Sequence, residues 1–417
     1  MRGAWVDVVW PVAKLVAGSL ALPILTVVAA AEGLRTRWRR RRRQPPRLLW
    51  GPSPIIAIRD WSRSLRALGY DSVTFAHHVA PINAREDFDV HRDSFLPGVP
   101  YADVIRDFFV FVWALHRADV FFAYFDGGYL AGTGLRSLEC RLLRLAGKKL
   151  VLFPYGGDIA VVGEIGIMET ALLTDYPELV RSSPDKRRRI LHLCRWADLV
   201  VRNHQYGFLP RADVLWPTQI AIDAQQWSPA DVAAPGGDGR DGEVVVLHAP
   251  NHRGIKGTEQ LLEAVARLRA EGLGIRLDLI ERRPNHEVRA AMRGADIVAD
   301  QFIAGYALFA IEGMSTGKPV MSALRWMPEE VAQSPALRDC PIVDTDLSNL
   351  VENLRALVID PARRLALGRA GREFVLRHHA HEPVARVWSS LIEHVWWGGP
   401  LPHELEIEPA TGGSGAV

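Results

Sequence analysis

Hydrophobic positions in this chain change their pattern three times. From Val8 to Ala31 they run almost unbroken, with only Lys14 charged, and Leu15–Ala31 is 17 residues without a charge. From Leu48 onward, short β-branched or aromatic runs alternate with stretches of helical period. Residues 228–242 have neither pattern and are rich in Gly, Pro and Asp, the composition of a linker. Beyond it the alternation restarts more cleanly.

The opening run predicts a membrane helix. Leu15–Ala31 would reach ~26 Å as a helix, and counting from Val8 gives enough length to span a hydrocarbon core of about 30 Å. Trp5 and Trp10 near one end and Trp38 beyond the other suit an aromatic belt. Arg35, Arg37 and Arg39–Arg43 follow at once, which by the positive-inside rule holds the rest of the chain in the cytoplasm. A single spanning anchor is the reading adopted. The alternatives are a helix lying flat with its arginines on anionic lipid, and a cleaved export signal, which Asp7 and the basic flank oppose.

In the first half, strands are predicted at Leu48–Trp50, Ser72–Ala76, Ala118–Phe125, Leu150–Pro154 and Asp198–Asn203, with helices at Ile55–Leu68 and near Leu135–Ala146. A long polar loop is expected up to about Pro100. In the second half, strands at Val244–Ala249, Arg276–Glu281, Ala295–Asp300 and Pro319–Ala323 alternate with helices Thr258–Glu271, Asn285–Arg293 and Leu308–Thr316. Helices at about Leu347–Ile359, Ala362–Leu376 and Pro383–Trp397 close the pattern. Strands alternating with helices mean parallel βαβ units. The organisation expected is therefore α/β: an anchor and Arg-rich segment (1–44), a Rossmann-like domain (45–227), a linker (228–242), a second Rossmann-like domain (243–380), a C-terminal helix (381–397) and a tail (398–417).

Composition narrows the chemistry. The net charge of +2 hides nine Arg/Lys against Asp7 and Glu32 in residues 1–43, which leaves the remaining chain mildly acidic. A nucleic-acid binder needs its basic surface on the folded body, so that class is excluded. Three scattered cysteines (Cys140, Cys194, Cys340) supply neither a disulfide framework nor a metal knuckle. His248 and His252 have HxxxH spacing but straddle a strand end with Pro250 between them, so no metal is expected. His378, His379 and His381 are read as a solvated cap.

Ligands of such sheets sit at the carboxyl ends of strands. After the strand at Val244, His248, Asn251, Arg253 and Lys256 precede Gly257-Thr258, which opens a helix whose amino end favours an anion. Two cations and free amides there make a diphosphate cradle; an ordinary solvated loop is the alternative. Only six of the 50 basic residues are lysines, and one is kept at Lys256, where a compact charge suits phosphate. In residues 295–323, Asp300 ends a strand, Gly305 allows close approach of a ligand, and Glu312 rides an apolar helix where its carboxylate needs a partner. Vicinal ribose hydroxyls or a neighbouring helix cap could each be that partner.

These segments resemble the retaining GT-B glycosyltransferases of the "glycosyl transferases group 1" type. Residues 295–323 resemble the family's donor-site pattern E-G-x-G-x-x-x-x-E-A-M-A-x-G-x-P-V. PYGGDI (Pro154–Ile159) is similar to its H-G-x-D-I turn, and ADLVVRN with LPRADVLWPTQIAID (Leu209–Asp223) to the segment that leads to its linker. HAPNHRGIKGT is similar to its phosphate-binding loop. The likeness covers about residues 47–397 and is strongest over 244–323. It departs from the family where the first glutamate of the pair is Ala304, with Asp300 the nearest acid. It departs again where the turn histidine is Tyr155, and where Asn251 takes the usual arginine's place, with Arg253 as stand-in.

The resemblance implies a GT-B fold and transfer of a hexose-type sugar, with retention, from a nucleotide diphosphate sugar to a lipid-linked or cell-surface polysaccharide acceptor. It needs no cofactor and no metal. Glu312 would bind the donor ribose, and Lys256 with Arg253 would neutralise the departing diphosphate. Asn251, Gly257, Thr258, Asp300 and amides around Gly305 would line the donor. Tyr155, Gly156, Gly157 and Asp158, from the facing domain, would approach the transferred sugar. A GT-B sugar-nucleotide epimerase and a non-catalytic membrane-associated binding protein are the alternatives.

Overall fold

The computed structural model describes residues 2–79, 83–229, 237–303, 305–327 and 329–405. Residues 230–236 of the expected linker, 406–417 of the expected tail, and Ala304 lie outside the described residues. Two fully parallel sheets carry the architecture. The first contains β1 (Leu48–Trp50), β2 (Ser72–Ala76), β3 (Val90–His91), β4 (Val120–Ala123), β5 (Lys149–Leu152), β6 (Leu199–Arg202) and β7 (Val214–Leu215), ordered β3-β2-β1-β4-β5-β6-β7. The second contains β8 (Val244–His248), β9 (Ile275–Leu279), β10 (Ile297–Ala299), β11 (Val320–Ser322) and β12 (Val343–Asp344), ordered β12-β11-β10-β8-β9. Each reverses its winding once, the first between β1 and β4, the second between β8 and β10. Those two crevices are where an open parallel sheet binds ligands.

Helices cover both faces, which is why most strands read as continuous apolar runs. Those that bear on the site are α1 (Arg2–Arg41), α2 (Ala57–Ala67), α3 (Arg106–Arg117), α4 (Glu139–Leu145), α5 (Glu169–Asp175), α6 (Leu179–Trp196), α7 (Arg253–Lys256), α8 (Thr258–Ala270), α9 (Asn285–Gly294) and α10 (Leu308–Ser315). The sequence reading passed over α3 and α6. In RDFFVFVWALHR the unbroken apolar run Phe108–Leu115 hides the helical period, and α6 contains Pro184 and few apolar residues. The polar stretch before Pro100 holds β3, which pairs with β2 at the sheet edge.

One helix segment, Val12–Arg41, is long and apolar enough to cross a membrane. It lies along the first domain instead of projecting from it. Leu25 and Ala29 are buried in that domain's core. Lys14 Nζ donates to Gly132 O at 3.1 Å, Arg39 pairs with buried Asp119 at 3.2 Å, and Arg40 donates to Trp396 O at 2.5 Å. Contacts from residue 14 to residue 40 fix ~39 Å of helix against protein. Along this length α1 is held against the first domain. The outward face is apolar: Val16, Leu20, Ile24, Val27, Leu34 and Trp38 are each more than half exposed.

The C-terminal helix, His381–Trp397, crosses back to the first domain and packs on α2. Trp388 sits edge-on to Trp50 (ring centroids 5.0 Å apart) and against Trp61 (5.3 Å) in that domain's second core. His379, expected in a solvated cap, is fully buried. Its Nδ1 lies 2.8 Å from Ile220 O and its Nε2 3.3 Å from the Tyr306 hydroxyl, so it ties the segment leaving the first domain to the second.

Candidate functional site

The crevice between β8 and β10 gathers the second domain's polar chemistry. β8 ends at His248, whose buried ring is held on both nitrogens. Nδ1 lies 2.7 Å from Ala299 O, and a carbonyl only accepts, so Nδ1 carries the proton and Nε2 accepts from Thr258 Oγ1 at 2.8 Å. Burial lowers its pKa to about 4, so the ring is neutral near pH 7. The chain then makes the single turn α7 and enters α8 through Gly257, at φ 72°, where a Cβ would press on the Phe302 ring and Leu347. That left-handed step is why a glycine is needed there. It brings Lys256 to the start of α8, where helix amides are unpaired.

Lys256 and Asp300 meet at 2.5 Å, both buried. The second oxygen of Asp300 accepts from Ala307 N at 2.9 Å, which fixes the carboxylate. An ammonium has three donors, and Asp300 takes one, so the pair positions a cation that can still bind anionic oxygen. Phe302 N donates to Lys256 O at 3.3 Å and ties the two strand-end loops together. Glu312, on α10, is 5% exposed and accepts from Asn285 Nδ2 at 3.3 Å. Burial raises its carboxyl to about 8; Asn285 opposes that shift and the Asp300 carboxylate adds to it. The sequence reading brought Lys256, Asp300 and Glu312 to one place, and they are together. It missed Asn285, the partner that a carboxylate in an apolar helix demands.

Other expected donor contacts are engaged elsewhere. The Arg253 guanidinium is bound to Glu259 at 2.8 Å and to Glu281 at 2.9 Å, and the residue is half-buried. The two cations of the loop are thus held by different carboxylates. The Thr258 hydroxyl is used by His248. Gly305 N donates to Ala323 O at 3.0 Å, so its amide is not free for phosphate. Asn251 is exposed in the turn before α7. His252 contacts the Tyr176 hydroxyl at 2.6 Å, apart from His248's partners, so the HxxxH pair does not converge. Among the described residues no cluster of His, Cys, Asp and Glu could hold a metal ion.

The first domain's crevice, between β1 and β4, is built differently. Ser53 follows β1, Asp126 follows β4 and Tyr155 follows β5. Asp126 Oδ2 accepts from the Tyr155 hydroxyl at 2.9 Å and from Ser53 Oγ at 3.3 Å. Tyr155 is half-buried, and burial followed by the nearby carboxylates drives its pKa far up, so it keeps its proton and donates the hydrogen bond to Asp126. Asp158 does not reach toward a sugar as expected. Its fully buried carboxylate accepts from Phe125 N, Tyr155 N and Gly156 N, each at 3.0 Å, and so shapes the turn. Burial lifts it to about 7 despite those bonds. Gly156, at φ 111°, backs onto Gln205 so closely that a Cβ would lie 2.5 Å from its Oε1. Gly157 O accepts from Lys186 Nζ at 2.7 Å. Asp126 was missed; the signal was FDGGY, an acid and two glycines directly after a strand.

The two crevices face each other across a short interface. His204, beyond β6, stacks on Tyr306 of the second domain with centroids 5.4 Å apart and planes 13° from parallel.

No protein-family model and no curated protein matches the sequence. Solved structures match its fold. Sucrose-phosphate synthase from Thermosynechococcus elongatus aligns with a TM-score of 0.55 at 15% identity, covering 85% of this chain and all of that one. HepE from Anabaena, in complex with UDP and glucose, aligns at 0.51 and 12% identity, covering 83% and 98%. An α-glucosyltransferase in complex with UDP-glucose and DNA aligns at 0.54 and 10% identity, covering 84% and 99%. These neighbours are GT-B glycosyltransferases, and the chain has the GT-B fold: two Rossmann-like units facing a cleft, preceded by an apolar helix.

Proposed function

We propose that this chain is a glycosyltransferase that takes a sugar from a nucleotide diphosphate sugar, with the diphosphate against Lys256 and the ribose against Glu312. The observation that carries this reading is the Lys256–Asp300 pair beside Glu312, at the crevice of the second sheet of a GT-B fold. The transferred bond breaks with charge building on the leaving diphosphate. A cation already oriented by Asp300 stabilises that charge without rearranging. Glu312 and Asn285 offer both an acceptor and a donor to vicinal hydroxyls. UDP-glucose, bound in the α-glucosyltransferase structure, is the first donor to test. Retention and a lipid-linked or polysaccharide acceptor follow from the sequence resemblance.

The same reading places the protein on a membrane, with the body in the cytoplasm and α1 lying in the interface. Leu22, Leu25, Val28 and Ala29 pack on the protein while Leu20, Ile24 and Val27 face out, so the helix is apolar on both sides, unlike an ordinary surface helix. Arg37 and Arg41–Arg43 are exposed at its end, where anionic lipid would meet them. Two experiments test the proposal. Incubation with UDP-glucose should release UDP slowly, and faster with a membrane lipid extract; a protein that neither binds nor consumes any nucleotide sugar would end the transferase reading. Full-length protein should float with vesicles containing phosphatidylglycerol and lose that with Leu20→Glu plus Ile24→Glu; equal flotation of the variant would remove α1 from the membrane.

A further inference from the structure

The first domain contains a cavity of about 360 Å³ between the β4–β5 face of the sheet, α4 and α6. Its floor is apolar: Phe121, Leu143, Leu150, Leu152 and Leu193 line it. Two of its lining residues, Tyr129 and His192, each carry a buried polar atom, Oη and Nε2, with no hydrogen-bond partner. Such groups are rare in folded interiors because desolvation is uncompensated. Glu139, also on the wall, is accounted for, since it accepts from Tyr129 N and Leu130 N at 2.8 Å each.

The cavity is placed between the two other features of this domain. At one end it is lined by Asp126, the residue that joins Ser53 and Tyr155 at the crevice of the first sheet. Elsewhere its rim includes Arg136, in the segment on which α1 rests: Lys14 bonds Gly132 O, a Cβ at Gly134 would meet Leu15, and one at Gly18 would meet Leu135. Three guanidinium groups line it, those of Arg136, Arg188 and Arg189, against the carboxylates of Asp126 and Asp185. Arg136 is exposed, Arg188 pairs with Asp185, and Arg189 donates to Phe125 O at 2.6 Å and lies 3.9 Å from Asp126.

We infer that this cavity holds the hydrocarbon chain of an anionic lipid, an alkyl or prenyl phosphate ester, whose head group lies among the rim arginines. An apolar lumen whose rim carries three arginines against two aspartates, with Arg136 the one in excess, matches an amphiphile with one anionic end. Its position between the outward apolar helix and the first-domain crevice gives such a lipid a short path from membrane to cleft. That this lipid is the acceptor rests on the glycosyltransferase reading; that it binds does not.

The test titrates dodecyl phosphate, below its micellar concentration, into the full chain by calorimetry, with UDP titrated separately. One saturable site is expected, with dodecanol and inorganic phosphate each binding at least about tenfold more weakly, since either half alone forgoes a set of contacts. Arg136→Glu with Arg188→Ala, both at the surface, should weaken dodecyl phosphate about tenfold or more, and Leu152→Trp should fill the lumen and abolish binding. Leu20→Glu on α1 should leave it unchanged. Absence of binding, indifference to the arginine variant, or loss in Leu20→Glu would overturn the assignment, the last because the chain would then sit on α1. Dodecyl phosphate binding without UDP binding would leave the cavity assigned and end the transferase reading; UDP binding alone would do the reverse.

Discussion

Between β1 and β4 the strand ends meet as Ser53, Asp126 and Tyr155; between β8 and β10 they meet as Lys256 and Asp300, with Glu312 on the following helix. Both sheets are parallel and reverse their winding once, and the chemistry at the two reversals is opposite. In the first crevice a carboxylate is surrounded by neutral donors, with one arginine 3.9 Å away. In the second a buried ammonium is fixed by a carboxylate that is itself fixed by a backbone amide. The comparison teaches that winding decides where a ligand can bind, and the side chains at each reversal decide which ligand. Diphosphate suits the second crevice; a hydroxyl that must be oriented or relieved of a proton suits the first.

The sharpest way to break this comparison is Lys256→Ala. It leaves Asp300 buried without its cation, which should cost about 3–5 kcal/mol of stability. Adding Asp300→Asn should recover most of the melting temperature. If Lys256→Ala melts like wild type, the pair is not the buried anchor described here.

Next in size is the pH response of Glu312. Its carboxyl stands at about 8 in the folded chain and 4.5 in the unfolded one. Below pH 4.5 both forms are protonated. Between 4.5 and 8 the unfolded chain ionises first, so the stability present at low pH is progressively lost as pH rises. Glu312→Gln lacks this loss and should gain on wild type across that window, by on the order of a few kcal/mol in total. The difference should be flat on either side. Denaturant melts of both proteins from pH 4 to 9 measure it, and a constant difference would mean an ordinary, solvated carboxyl.

Smaller still is Tyr155→Phe, which removes one hydrogen bond to Asp126. About 1 kcal/mol of stability should be lost, with UDP affinity unchanged on the proposal that the nucleotide binds in the other crevice. A large loss of UDP affinity would merge the two crevices into one donor site. Smallest is Arg253→Ala. Both its ion pairs are exposed, so the melting temperature should not move measurably, and UDP affinity should fall less than with Lys256→Ala. An equal fall would show that the guanidinium leaves Glu259 and Glu281 to bind phosphate.

Much of this was legible in the sequence, unevenly between the halves. The second domain's strands are mostly apolar runs separated by helices, with Lys256 and Asp300 in the loops that follow two of them and Glu312 on the next helix. What could not be read was how each group is used. A sequence does not show that Arg253 has two acids within reach, or that the Gly305 amide is spent on Ala323. In the first domain, the apolar run Phe108–Leu115 hides the period of α3 and α6 has little apolar face, so neither announces itself. The seating of α1 left a trace that can be read afterwards: Glu32, Thr36 and Arg39 recur at spacings of four and three, a polar stripe on one side of an apolar helix. That stripe meets Lys148 and Asp119 on the protein.

The central claim is that the nucleotide diphosphate binds at Lys256. Titrating UDP into wild type and into Lys256→Ala with Asp300→Asn, a pair that removes the cation without stranding its partner, tests it most directly. The expected result is a folded variant whose UDP affinity is lower by roughly tenfold to a hundredfold. A folded variant that binds UDP as wild type does would contradict the claim and move the donor site away from the crevice between β8 and β10.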